Sequence, residues 1–147
     1  MRDLVAARFG AVPFADGPLE AMSAALRADT REVRALVAEL EGEIGGVAVF
    51  GMVAGTQRTA KLHLVVVTST SRQHKLASHL CEAAVQELAR LGARLVVVEM
   101  PDAPMFDAGR SLLERCGWRE EARVPDFYAD GVAMVLLRRE SGPGETP

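Results

Sequence analysis

Cysteine is scarce in this sequence: Cys81 and Cys116 are the only two, far apart and without the close spacing of a metal-binding pair. That excludes a disulfide-stapled scaffold and leaves two free thiols in a reducing compartment as the expectation. Aromatic residues make up only 5% of the chain, and tyrosine occurs once, as Tyr128. Long apolar runs are missing too. The stretch around residues 47–53 falls well short of the roughly 20 residues that a membrane-spanning helix needs. Residues 1–9 carry Arg2, Asp3 and Arg8, unlike a signal peptide, so a cytoplasmic protein is expected. A net charge of -3 lacks the basic excess of a nucleic-acid binder. Neither a nucleic acid nor a membrane is an expected partner. The phosphate-binding patterns GxxxxGK[ST] and GxGxxG are both absent.

What is present has the make-up of one globular domain: 147 residues, 49% hydrophobic and 25% charged. Leu19, Met22, Ala25 and Leu26 predict a helix over residues 18–27, with Asp16 as its cap. Residues 29–34 read as a short helix or a linker. Leu36, Ala38 and Leu40 then alternate with Val37, Glu39 and Glu41, which is strand periodicity. Glu41-Gly42 supplies a turn, and residues 44–53 return as a second strand. Gly45, Gly46 and Gly51 in that strand imply a bulge or a close backbone approach. After a turn over residues 55–59, a third strand is predicted over residues 61–67.

The next helix carries an apolar stripe at Leu76, Leu80, Ala84, Leu88 and Leu91, closed by Gly92. The run "ARLVVVEMP" reads as a strand buried on both faces. A helix over residues 104–116, ended by Gly117, precedes a strand pair over residues 119–138 whose turn signal is Asp130-Gly131. Residues 141–147 lack apolar content and predict a disordered tail behind a domain of residues 1–140. The fold class is therefore α+β: a mixed twisted sheet flanked by helices, with an antiparallel meander followed by a βαβ-type half.

One junction stands out. The strand "LVVV" runs into the hydroxyl cluster Thr68, Ser69, Thr70 and Ser71, and then into Arg72, Gln73, His74 and Lys75 where a helix begins. A helix N-terminus favours negative charge, so basic residues there suit a ligand that brings its own. Free helix amides together with Arg72 and Lys75 would cradle a pyrophosphate. The plainer alternative is an ordinary helix capped by Ser69 or Ser71 with solvated basic neighbours. His74 and His79 lie about 140° apart around a helix and make no metal site, and no metal is expected.

Over roughly residues 36–139 the sequence resembles the GNAT superfamily of acyl-CoA-dependent N-acetyltransferases. "VTSTSR" resembles that family's V-x-P-x-x-R, with Ser69 in place of proline. "RQHKLA" resembles R-x-x-G-x-G/A, with Lys75 in place of the central glycine. "LLERCGW" occupies the place of F-Y-E-K-x-G-F, with Leu113 where the family often has tyrosine. The resemblance implies acetyl-CoA as co-substrate, its pantetheine pairing like an extra strand against Val65, Val66 and Val67. It further implies that Arg72 and the amides of Gln73, His74, Lys75, Leu76, Ala77 and Ser78 hold the pyrophosphate.

Acetyl transfer requires an amine freed of its proton, a stabilised carbonyl oxygen and a proton for the leaving thiolate. For the base, His63 titrates near neutral pH and flanks the cofactor strand, and Glu99 ends the buried strand. For the acid, Tyr128 is the only phenol, with Asp126 and Asp130 beside it to hold its proton in place. The acceptor, a small-molecule or protein amine, is not identified by any motif. The competing reading is a GNAT-like module that has lost activity and binds acyl-CoA or a protein partner; a third is an unrelated α+β binding domain. Only residues 4–9 are available for the family's first strand. Without it an exposed edge invites dimerisation, and a homodimer stands beside a monomer as an expectation.

Overall fold

A computed structural model describes residues 33–68 and 75–142. The helix expected over residues 18–27, the strand considered for residues 4–9 and residues 69–74 lie outside them, as do residues 143–147.

The chain opens with a hairpin of β1 (Val33–Leu40) and β2 (Glu43–Met52). Its two-residue turn has Glu41 at φ 53° and Gly42 at φ 82°. This is the doubly left-handed conformation whose twist matches that of paired strands. Next come β3 (Thr59–Val67), helix α1 (Leu76–Arg90) and β4 (Leu95–Pro101). A 3₁₀ turn (Pro104–Phe106) leads into helix α2 (Asp107–Arg115), so the helix expected over residues 104–116 is built in two pieces. A hairpin of β5 (Arg119–Ala129) and β6 (Val132–Glu140) completes the described chain. The six strands form one sheet in the order β1-β2-β3-β4-β6-β5. Among the described residues only β3 and β4 pair in parallel, because α1 carries the chain from the end of one back to the start of the other.

Helix α1 lies against the hairpin half of the sheet and buries Leu80, Cys81, Ala84, Val85 and Leu88. These join Phe50, Leu62, Val96, Val98, Trp118, Val135 and Leu137 in one core. Leu76 and Leu91, the ends of the expected stripe, are only partly covered, Leu91 remaining 37% exposed. Val47, Val49, Leu64 and Val66 are also buried but stand outside this core, on the opposite face by strand alternation.

β4 departs from expectation. Its apolar run implied burial on both faces, yet Val96, Val98 and Met100 are buried while Glu99 is exposed. One face packs on the helices, and the carboxylate of Glu99 remains on the other. Beyond β6, Ser141 is buried: its hydroxyl donates to Ala93 O and its N–H to Arg94 O at 3.2 Å. Among the described residues no helix is long and apolar enough to cross a membrane.

The glycines of β2 have the two anticipated roles. Ala38 pairs with Gly46 and Glu39 with Ile44, which leaves Gly45 as a bulge. At Gly46 an added Cβ would lie 2.7 Å from Leu80 Cδ1, 3.0 Å from Val67 Cγ1 and 3.1 Å from Val66 O. Gly46→Ala should therefore cost about 1–3 kcal/mol, since a backbone oxygen cannot swing away as a side chain can. Gly109→Ala, within α2 where a Cβ meets nothing within 4 Å, should instead stabilise by about 0.5–1 kcal/mol. Urea midpoints of the two variants should move in opposite directions.

Candidate active site

β3 and β4 pair at three positions only: Thr59 with Leu95, Ala60 with Val96 and Lys61 with Val97. β3 then continues to Val67 and β4 to Pro101 without facing each other, while β4 stays paired with β6 along its length. A wedge-shaped gap opens between neighbouring strands in the middle of the sheet. The cause lies in β3. Val49 pairs with Leu64 and Phe50 with Leu62, so His63 has no opposite number and forms a bulge. A bulge bends its strand and changes which face each later side chain takes. Leu62 packs in the helix-side core before it, and Val65 and Val67 pack against the same core after it.

Backbone direction along the gap follows from one hydrogen bond. Thr68 N–H donates to Gly45 O at 2.9 Å. Alternate residues of a strand direct their polar backbone groups to opposite edges. Val66, paired with Val47, therefore turns its groups toward β2, while Val65 and Val67 turn theirs into the gap.

Four side chains converge on the apex. Lys61, in the last paired position, places Nζ 3.1 Å from Glu99 Oε2. His63 is held down at about 4, mainly by burial and then by the charge of Lys61, with Glu99 pulling the other way. This corrects the expectation that His63 titrates near neutral pH: a half-buried ring beside an ammonium resists a second positive charge. Burial raises Tyr128 above the usual phenol value, and the charge of Glu99 raises it further.

Tyr128 comes from an irregular stretch of β5, where pairing jumps from Val124–Met134 to Ala129–Val132. There Asp126 adopts φ 55° and accepts the Gly131 N–H at 2.7 Å, and the Phe127 ring stands edge-on to Tyr128 at 4.9 Å. The acidic neighbour acting on the phenol is thus Glu99, with the Asp126 carboxylate engaged in the turn. His63, Glu99 and Tyr128, proposed from separate stretches of sequence, come within electrostatic reach of one another. Lys61 is the member that sequence reasoning missed. Its only signal was a cation within a largely apolar strand, two residues before His63.

At the far end of the gap, α1 begins at Lys75, which has φ 56° and ψ 27° and makes no side-chain cap. Left-handed backbone costs a non-glycine residue about 1–2 kcal/mol, which explains why a glycine suits this place. The first turn holds no acidic residue, and the first helical bond is His79 N–H to Lys75 O at 3.3 Å. Leu76, Ala77 and Ser78 therefore precede the intrahelical ladder, with amides oriented as an anion site requires. Arg72, Gln73 and His74 are outside the described residues. Leu113 is 5% exposed and belongs to the core. Burial pushes the Cys81 thiol up to about 12, so it stays protonated, and both cysteines are free.

The sequence pattern of the Acetyltransferase (GNAT) family matches residues 1–118. No protein of curated function matches the chain. Among solved structures, one described as a GNAT-family acetyltransferase from Desulfovibrio desulfuricans superposes with a TM-score of 0.82 at 22% identity, covering 96% of this chain and 92% of that one. The aminoglycoside 6'-N-acetyltransferase of Enterococcus faecium gives 0.77 at 16% identity, covering 97% and 89%. A Bacillus subtilis acetyltransferase in complex with CoA gives 0.71 at 19% identity, covering 94% and 89%.

The depressed His63 value sets a pH dependence. The unfolded ring takes up its proton near 6.5 and the folded one only near 4, so within that window the unfolded state binds more protons. The stability contributed by neutral His63 is complete above about pH 6.5 and is lost as pH falls toward 4, by up to about 3 kcal/mol. Urea midpoints measured from pH 7 to 4 should fall more steeply for the wild type than for His63→Gln.

Proposed function

This chain belongs to the GNAT acetyltransferase family, and from that premise we propose that it transfers an acetyl group from acetyl-CoA to a primary amine. The observation that carries this reading is the parting of β3 from β4 beyond Lys61. An extended pantetheine arm has amide groups that suit the backbone of Val65 and Val67, which faces the gap. The amides of Leu76, Ala77 and Ser78, with the charge of Lys75 and that of Arg72 three positions earlier in the sequence, suit its pyrophosphate. The Bacillus subtilis relative solved with CoA supports the same assignment.

The chemistry then belongs to the apex. Glu99 and the neutral ring of His63 are the proton acceptors available to an incoming ammonium group. Tyr128, its proton held by burial and by Glu99, is the donor for the departing thiolate. Leu113 has no proton to give. The amine acceptor meets the thioester where the strands separate.

A second reading, a domain that binds acyl-CoA without turning it over, is favoured by the burial of Leu113 where relatives often have tyrosine, and by Lys75 in a glycine position. Two experiments distinguish the readings. Calorimetric titration with acetyl-CoA should show binding, and Arg72→Glu with Lys75→Glu should weaken it, most strongly at low salt where screening is least. Unchanged affinity in the double variant removes the pyrophosphate assignment. With an amine that is turned over, Tyr128→Phe should lower kcat by roughly 10²–10⁴-fold while acetyl-CoA affinity stays within a factor of about two. Wild-type turnover in that variant removes Tyr128 as the acid, and binding with no turnover of any amine favours the second reading.

A further inference from the structure

Lys61 and Lys75 are the only lysines in the sequence, against fifteen arginines. A chain almost without side-chain amines keeps one of its two at the apex of the cleft. Lys61 occupies the last position at which β3 and β4 remain paired, and its Nζ reaches 3.1 Å from Glu99 Oε2. Its side chain is 29% exposed, neither sealed in the core nor free in solvent. An ammonium on this carboxylate occupies the place that the proposed function gives to the acceptor's ammonium. We propose that Lys61 is itself an acyl acceptor: with acyl-CoA bound and no amine present, the enzyme acylates Lys61 Nζ and so modifies its own acceptor site.

The proposal rests on the acetyl-CoA reading and extends it to a residue of this chain. The step balances without any redox partner. Lys61 passes one proton to Glu99, the freed nitrogen lone pair attacks the thioester carbonyl, the C–N bond forms and the C–S bond breaks. The thiolate leaves as a thiol with a proton from Tyr128, the nitrogen's second proton passes through water to restore the Tyr128 phenol as the amide forms, and Glu99 releases its own proton to water. The product amide carries no charge. Glu99 then loses its ion pair, and His63 loses the second of the two influences that hold it down. Arginine in the same place would keep the ion pair but could not be acylated, because its guanidinium does not lose a proton in proteins.

Lys75 lies beside the proposed pyrophosphate site and is shielded when acetyl-CoA binds, so uncatalysed acetylation is read instead from Lys61 in the same protein unfolded in urea. The purified protein, folded and unfolded, is incubated with acetyl-CoA and no acceptor, digested, and the Lys61-containing peptide is quantified by mass spectrometry. The expected result is at least tenfold faster acetylation of Lys61 in the folded protein than in the unfolded one, falling to the unfolded rate in Glu99→Gln. In the acetylated protein the His63 ring should titrate at higher pH by NMR than in the unmodified protein. Lys61→Arg should still bind acetyl-CoA in calorimetry. Equal labelling of Lys61 in the folded and unfolded protein, when the folded protein binds acetyl-CoA, overturns this inference and leaves the proposed function standing. Failure of the wild-type protein to bind acetyl-CoA overturns both.

Discussion

The single unmatched residue in β3 governs the rest of the architecture. With His63 bulged out of the ladder to β2, the strand bends away from β4 after three paired positions. A parallel pair flanked by helices would ordinarily stay zipped, because separating it leaves backbone donors and acceptors without partners. Here that cost falls on the facing edges of β3 and β4 beyond Lys61 and Val97. The bulge also keeps apolar side chains beneath α1 on both sides of the bend, so the core is continuous although the hydrogen bonding is not. The gap is thus a property of the sheet rather than a groove between independent parts.

Charge spans the opening at its narrow end. The Lys61–Glu99 pair is partly exposed, and such a pair contributes little to stability, typically 0–1 kcal/mol. Its consequence is local: it sets the field felt by His63 and Tyr128, which burial alone would already have shifted away from charge. Both groups are neutral at pH 7, and the same shifts make the imidazole a weaker base and the phenol a weaker acid than the free side chains.

The outer edge at β5 is built to stay alone. β5 ends the sheet and is exposed almost throughout, with Val124 41% and Phe127 53% accessible. Pro125, two register shifts and a dense set of charges interrupt it. Arg123 pairs with Asp102 and Glu120, and Arg110 pairs with Asp102, Glu114 and Glu120. These devices discourage another strand from adding to the edge. They also tie the end of β4 and helix α2 to the strand that supplies Tyr128.

Much of this was legible in the sequence because it is decided locally. Alternation in residues 36–41, the three-to-four-residue stripe from Leu76 to Leu88, and glycine at positions 92, 117 and 131 marked element types and ends, since each reflects preferences over one or two turns of chain. The close approach at Gly46 and the bulge at Gly45 were foreseeable for the same reason. The site was legible only as separate pieces: His63, Glu99 and Tyr128 stood out by residue type, without any sign that they meet. Lys61 and Glu99 are 38 positions apart, and only the crossover through α1 and the shared register at Lys61 and Val97 bring them together. The apolar run of β4 concealed that Glu99 keeps an open face, and an ordinary histidine value concealed how far burial and a neighbouring ammonium lower it. By itself the sequence determined which segments are strands and helices and which residue types are available for chemistry. The tertiary structure decided where the sheet parts and which charges face each other there, because pairing register and burial arise from contacts between distant segments that no local pattern encodes.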